Sequence, residues 1–181
     1  MANKIDALLS SYEMVIAEPW SGTLSTSERF MFLVFDPAEL RRVEIRLGEF
    51  ELATNKGNKR WELISLKSCF PTWMSNHDYR DEYFADPESL VDQLEAEFKQ
   101  YAIDFINDEL KKRNADDQTL IAIKDVSSLF GFGRLSDVLN SLSNDFKGRL
   151  LILFPGEYDK NHYRLLDARD GWSYLARPIT A

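Results

Sequence analysis

Gly131, Gly133 and Arg134 fall just after a predicted strand and just before a predicted helix. At that placement backbone N–H groups can cradle a phosphate. The motif stops short of a nucleotide loop. No Gly-x-x-x-x-Gly-Lys-Ser/Thr follows any strand, and the third glycine of a dinucleotide fingerprint is absent. The other reading of this Gly-x-Gly is a tight turn that lets strand and helix pack closely. Metal chemistry needs clustered ligands, and His77 and His162 have no partner at ligand spacing. Asp36 and Asp125 fall at the carboxyl ends of predicted strands, and Glu157 follows another. If those strands are adjacent, the carboxylates converge on one rim, as Mg²⁺ requires. Asp36 is also explained as a helix cap, and Glu157 as a solvated loop residue. Ser127 and Ser128 sit at a strand end with no histidine assigned beside them, and no Gly-x-Ser-x-Gly elbow occurs. Cys69, next to Phe70, reads as a small buried apolar residue. No catalytic, metal-binding or cofactor-binding residue is assigned, and no cofactor is expected.

The aromatic residues at the same predicted rim suggest binding instead. Phe130, Phe132, Tyr158, Tyr163, Trp172 and Tyr174 cluster there, with Arg134, Arg149, Arg164, Arg169 and Arg177 between them. Trp, Tyr and Arg are enriched where proteins dock tightly. Phe132, Arg134, Tyr158, Tyr163, Arg169 and Trp172 are therefore the expected partner-binding residues. Core packing claims about half of the aromatics on general grounds.

The elements that must position these residues alternate. Ile5, Leu8, Leu9, Tyr12, Val15 and Ile16 predict an amphipathic helix over 4–17. The unbroken apolar run Phe30–Phe35 predicts a strand buried on both faces. Asp36 and Pro37 then start a helix to about residue 53, weakened at Gly48. A second strand is expected over 61–66. Residues 67–86 are harder to read, with a short helix suggested by Phe70, Trp73 and Met74. Asp86 and Pro87 repeat the cap, and Leu90, Val91, Leu94, Phe98, Tyr101, Ala102, Phe105 and Ile106 form one stripe of a long helix. A third strand covers 119–125, a helix follows Arg134, and a fourth strand covers 149–154, stopped by Pro155 and Gly156. Tyr163–Leu166 and Tyr174–Arg177 flank a turn at Asp170 and Gly171, which signals a hairpin. The fold expected is α/β: one domain over residues 1–181, mainly parallel, with helices on both faces, Rossmann-like or degenerate P-loop-like, and a terminal β pair.

Composition narrows the partners. The 181 residues carry a formal charge of −8, which disfavours a phosphate backbone across the whole surface. Base stacking on the aromatic and arginine side chains is conceivable, but that charge opposes it. The densest basic group, Lys111-Lys112-Arg113, ends a predicted helix, where cations complement the dipole. One cysteine fits a reducing cytoplasm. No signal peptide or membrane-length apolar run is read, so a cytoplasmic protein without a membrane partner is expected.

The chain resembles the BrxB family of bacterial BREX phage-defence systems. Glu28–Pro37, Arg46–Thr54, Ser128–Phe132 and above all Gly148–Thr180 carry the resemblance, which extends over essentially the whole length. It implies a small component of a multi-protein antiviral system. Its implied neighbours are a PglZ-like phosphatase-superfamily protein, a PglX-like DNA methyltransferase and the large BREX ATPase. The resemblance supplies no catalytic residues. It implies a non-enzymatic adaptor with the PglZ-like protein as favoured partner. The alternative reading is an α/β enzyme that binds Mg²⁺ or a nucleotide at the carboxyl rim.

Overall fold

The computed structural model describes residues 3–25, 27–165, 172–173 and 176–181, with Ser27, Trp172 and Ser173 described by backbone alone. Helix α1 (Lys4–Ala17) starts where the Asn3 side chain accepts a hydrogen bond from the Ile5 N–H. Its Ile5, Leu8, Tyr12 and Ile16 are buried on one face, as the periodicity predicts. Strand β1 (Phe30–Phe35) is buried at all six positions. Asp36 caps the next segment by accepting from the Ala38 N–H at 2.9 Å.

The helix after Asp36 is broken in two, α2 (Leu40–Ile45) and α3 (Leu47–Lys56). The break falls at Arg46 rather than at Gly48, which lies inside α3 with open space around it. Arg46 is held there by ion pairs to Asp6 of α1 at 2.6 Å and to Glu49 at 2.7 Å. The kink thus lets one guanidinium clamp two helices.

Strand β2 (Arg60–Ser65) leads to two short helices, α4 (Cys69–Ser75) and α5 (Arg80–Ala85). A 3₁₀ turn at Pro87–Leu90 opens the long helical segment, and the Asp86 side chain makes no cap bond there, unlike Asp36. Helix α6 (Val91–Gln93) passes through a π turn at Leu94–Phe98 into α7 (Lys99–Arg113). A π turn advances the chain by an extra residue and resets the helical phase. Val91, expected on the buried stripe, is therefore 62% exposed, whereas Phe98, Ala102 and Ile106 are buried.

Strand β3 (Thr119–Lys124) and helix α8 (Leu135–Asn140) precede β4 (Arg149–Asp159). Strand β4 does not stop at Pro155 and Gly156. It pairs in parallel with β1 up to Phe35↔Pro155. From Gly156 onward it pairs in antiparallel fashion with β5 (His162–Leu165). Proline is tolerated because it ends one ladder. Glycine is required because a Cβ at residue 156 would strike the Arg164 carbonyl oxygen and the Phe154 ring. The β4–β5 turn is Lys160 and Asn161, both at positive φ, as a tight type I′ hairpin demands.

The terminal β pair differs from the expected one. Strand β5 pairs with β4 and with β6 (Trp172–Ser173). Arg177 lies instead in β7 (Arg177–Ile179), parallel to β1. The expected turn at Asp170 and Gly171, with Leu166 and Tyr174 beside it, lies outside the described residues.

The main sheet runs β2-β3-β4-β1-β7. One face carries Met31, Leu33, Ala122 and Leu151 against α1 and α3. The other carries Phe32, Ile64, Ile123 and Ile152 against α4, α7 and α8. This is the α/β architecture read from the sequence, an open and mainly parallel sheet between two helical layers.

Candidate functional site

The loop between β3 and α8 builds the most distinctive surface. Asp125 turns the chain at φ 62°, and Val126 and Leu129 of the following 3₁₀ turn anchor it in the core. Gly131 at φ +82° reverses direction, a conformation that glycine adopts without strain. Phe130 is thereby pushed outward and is 46% exposed. Phe132 points inward and stacks on Phe70 of α4, with ring centroids 3.8 Å apart and planes at 9°. Phe98 meets both rings edge-on, at 5.2 Å and 6.2 Å.

The stacked pair divides two hollows. One, of about 400 Å³, is walled by Val91, Leu94, Leu129, Phe130, Phe132 and Leu165. Glu95 and Arg134 are its ionisable lining residues. The π turn contributes Leu94 and Glu95. The second, of about 480 Å³, is bounded by Phe70, Pro71, Met74, Ser75, Arg80 and Phe84.

The six expected partner-binding residues do not form one patch. Phe132 and Arg134 line the first hollow. Tyr158 lines a separate cleft of about 570 Å³ at the ends of β1 and β4. Its hydroxyl donates to Asn161 Oδ1 at 2.9 Å. Tyr163 is corrected: it is fully buried and cannot meet a partner directly. Its hydroxyl donates to the Ala176 carbonyl at 2.8 Å, and its ring packs 4.4 Å from Phe32. Burial, and secondarily Tyr158, hold its phenol above the ordinary tyrosine range. The Trp172 backbone pairs with Tyr163 in β6. Arg169 lies outside the described residues.

Neither do the three carboxylates of the Mg²⁺ reading converge. Strand β4 separates β1 from β3. Asp36 and Asp125 therefore leave strands about 10 Å apart, too far to share one cation. Asp36 is used as a cap, with Lys4 at 3.9 Å. Asp125 accepts from Ser65 Oγ at 2.5 Å, and Glu157 pairs with Arg164. Among the described residues, no three His, Cys, Asp or Glu side chains are grouped to hold a metal.

Cys69, Ser128 and the two histidines are likewise buried or engaged. Burial raises the Cys69 thiol pKa to about 11. Ser128 Oγ donates to the Leu66 carbonyl at 2.9 Å. His77 Nε2 lies 3.0 Å from Glu97, and His162 Nδ1 lies 2.9 Å from the Lys160 carbonyl oxygen. Two further arginines of the rim set are held elsewhere: Arg177 pairs with Glu18, and Arg149 lies over the Trp20 ring at 4.7 Å.

A family model described as BREX protein BrxB matches residues 72–177. The chain belongs to the BrxB family. BrxB membership makes it a component of a BREX phage-defence system. The BrxB match takes in Phe84, Val91, Leu94, the Gly131 loop and β5, so most of both hollows falls within it. The resembling stretches Glu28–Pro37 and Arg46–Thr54 lie outside the matched span. No curated protein and no solved structure matches the chain. Among the described residues, no helix is long and apolar enough to cross a membrane.

Sequence reasoning missed Phe70, Phe84, Val91 and Leu94 as parts of this surface. Their signal was present but easily misread. The stretch after α4 mixes aromatics with many acids, a pattern that suits an exposed wall better than a core stripe.

Proposed function

We propose that this BrxB protein is a non-enzymatic docking component of its BREX system. Its partner by this reading is the PglZ-like protein, which it bridges to the PglX-like methyltransferase, with the BREX ATPase in the same assembly. One observation carries the proposal. The carboxyl rim of β3, where an α/β enzyme concentrates its chemistry, opens into an apolar hollow beside an exposed Phe130. Apolar hollows flanked by exposed aromatics supply the buried anchors of protein interfaces. The ionisable rim groups already have structural duties, as caps, ion pairs and hydrogen-bond partners, which supports docking over catalysis.

The test is co-elution of the purified chain with the PglZ-like and PglX-like proteins in size-exclusion chromatography, backed by calorimetry. A stoichiometric complex is expected with the PglZ-like protein and a ternary one with both. Phe130→Ser should weaken it by at least about tenfold, as for a central anchor, with an unchanged circular dichroism spectrum. Absence of any complex in either pairing refutes the proposal.

A further inference from the structure

The two hollows share more than a wall. Between Asp78 and Glu97 eight carboxylates stand against one cation, Arg80, so this segment holds nearly all of the chain's formal charge of −8. Every one of those carboxylate residues is exposed. Asp81 pairs with Arg80, Glu95 with Lys99 and Glu97 with His77. Asp78, Glu82, Asp86, Glu88 and Asp92 form no ion pair among the described residues. Desolvation first, and then the charges of Glu97 and Glu82, raise the Tyr83 phenol above its usual range.

Apolar side chains of this segment and of the Gly131 loop border the hollows: Phe84 bounds the second, and Val91 and Phe130 wall the first. Tyr79, Phe84, Val91 and Phe130 are 57%, 71%, 62% and 46% exposed. The other exposed large hydrophobics among the described residues, Met14, Ile45 and Leu52, are dispersed on α1, α2 and α3. Isolated apolar side chains are ordinary on a surface, whereas clustered ones beside hollows mark an interface.

We propose that the paired hollows with their acidic rim receive a basic amphipathic segment of another protein, two apolar anchors filling the hollows on either side of the Phe70–Phe132 stack. This rests on the docking reading above and adds the chemistry of the occupant. Charge complementarity selects it: lysines or arginines flanking the anchors would meet carboxylates that have no cation of their own. An amphipathic helix seated by apolar anchors is a recurrent form of such a ligand. A second copy of this chain fits less well. The basic end of α7 has Lys112 and Arg113 already paired with Glu109, at 2.8 Å and 2.7 Å. Anionic lipid would be repelled.

The test uses the full chain and three labelled peptides read by fluorescence anisotropy: an amphipathic leucine–lysine peptide, a scrambled peptide of the same composition, and an amphipathic leucine–glutamate peptide. The amphipathic basic peptide alone should bind, and rising salt should weaken it. Phe84→Ser and Phe130→Ser should each weaken it by about tenfold or more, and Glu88→Gln with Asp92→Asn by several-fold. Equal binding of the scrambled peptide, binding of the acidic peptide, or no binding overturns the proposal. So does a concentration-dependent dimer that Phe84→Ser abolishes, or adsorption to phosphatidylcholine vesicles lost in that variant. The same variants are run against the PglZ-like protein. If that protein binds wild type and the charge-neutralised variant equally, the acidic-rim proposal falls and the docking reading stands. If neither BREX partner binds wild type, the docking reading falls.

Discussion

Tyr163 was expected to meet a partner and lies in the core, so replacing its hydroxyl separates the two roles. Tyr163→Phe keeps the ring, with its contacts to Phe32 at 4.4 Å and Tyr158 at 4.8 Å, and removes one hydrogen bond. The phenol is protonated at working pH, all the more so as burial raises its pKa, and it donates to the Ala176 carbonyl throughout. A typical bond of this kind contributes about 0.5–1.5 kcal/mol, and an orphaned buried acceptor costs about 1–3 kcal/mol. We expect a loss of about 2 kcal/mol. In a domain of this size each kcal/mol shifts the thermal midpoint by about 2–4 °C, which predicts a fall of about 4–8 °C. Urea unfolding followed by circular dichroism checks it independently, with an unchanged slope. Tyr158→Phe is the control. Its hydroxyl bonds an exposed Asn161 side chain, so stability should change by less than about 0.5 kcal/mol. Partner binding, measured well below the midpoint, should survive Tyr163→Phe. An unchanged midpoint together with lost binding would refute the reasoning and return Tyr163 to the interface.

Gly156→Ala should destabilise by about 1–3 kcal/mol through forced displacement of β5, because the new Cβ meets the Arg164 carbonyl; calorimetry showing a wild-type midpoint would contradict that close approach. Glu109 accepts from Lys112 and Arg113, and those bonds hold its carboxyl below the usual glutamate range. A depressed folded-state pKa gives stability that is present above the unfolded value and lost as pH falls through the folded one. Glu109→Gln should therefore be less stable than wild type near neutrality, by less than about 1 kcal/mol, with the two midpoints converging in acid. Parallel melting curves across the whole pH range would count against the assignment.

The architecture was legible because it rests on burial. Six consecutive apolar residues at Phe30–Phe35 and the spacing of Ile5, Leu8, Tyr12 and Ile16 leave few alternatives. What the pattern could not supply were departures decided by contacts distant in sequence. The kink at Arg46 depends on Asp6, forty residues earlier. The π turn shifts the helical phase between Leu94 and Phe98 and turns Val91 out, which no periodicity with a fixed repeat can anticipate. Strand β4 continues through Pro155 because it changes partners there, so a residue that ordinarily ends a strand ends only one of its ladders. At the rim, the glycine neighbours of Phe132 and Arg134 pointed to their position, and both line the first hollow. The opposing wall was hidden because Phe84 and Val91 resemble core residues until their exposure is known.

Strand β7 has a further consequence, for self-association. It contributes only three residues, yet it lies along Met31–Leu33 in the most apolar strand of the sheet. Without it, the backbone N–H and C=O groups of β1 would face solvent beside an unbroken run of Phe, Met, Leu and Val, the composition that templates intermolecular β pairing. The covering strand is itself a poor template: Pro178 offers no N–H, and Arg177 is tied to Glu18. At the opposite edge, β2 presents Arg60 and Glu62. The short strand β7 thus covers an edge whose unbroken apolar run would otherwise stand open to intermolecular β pairing.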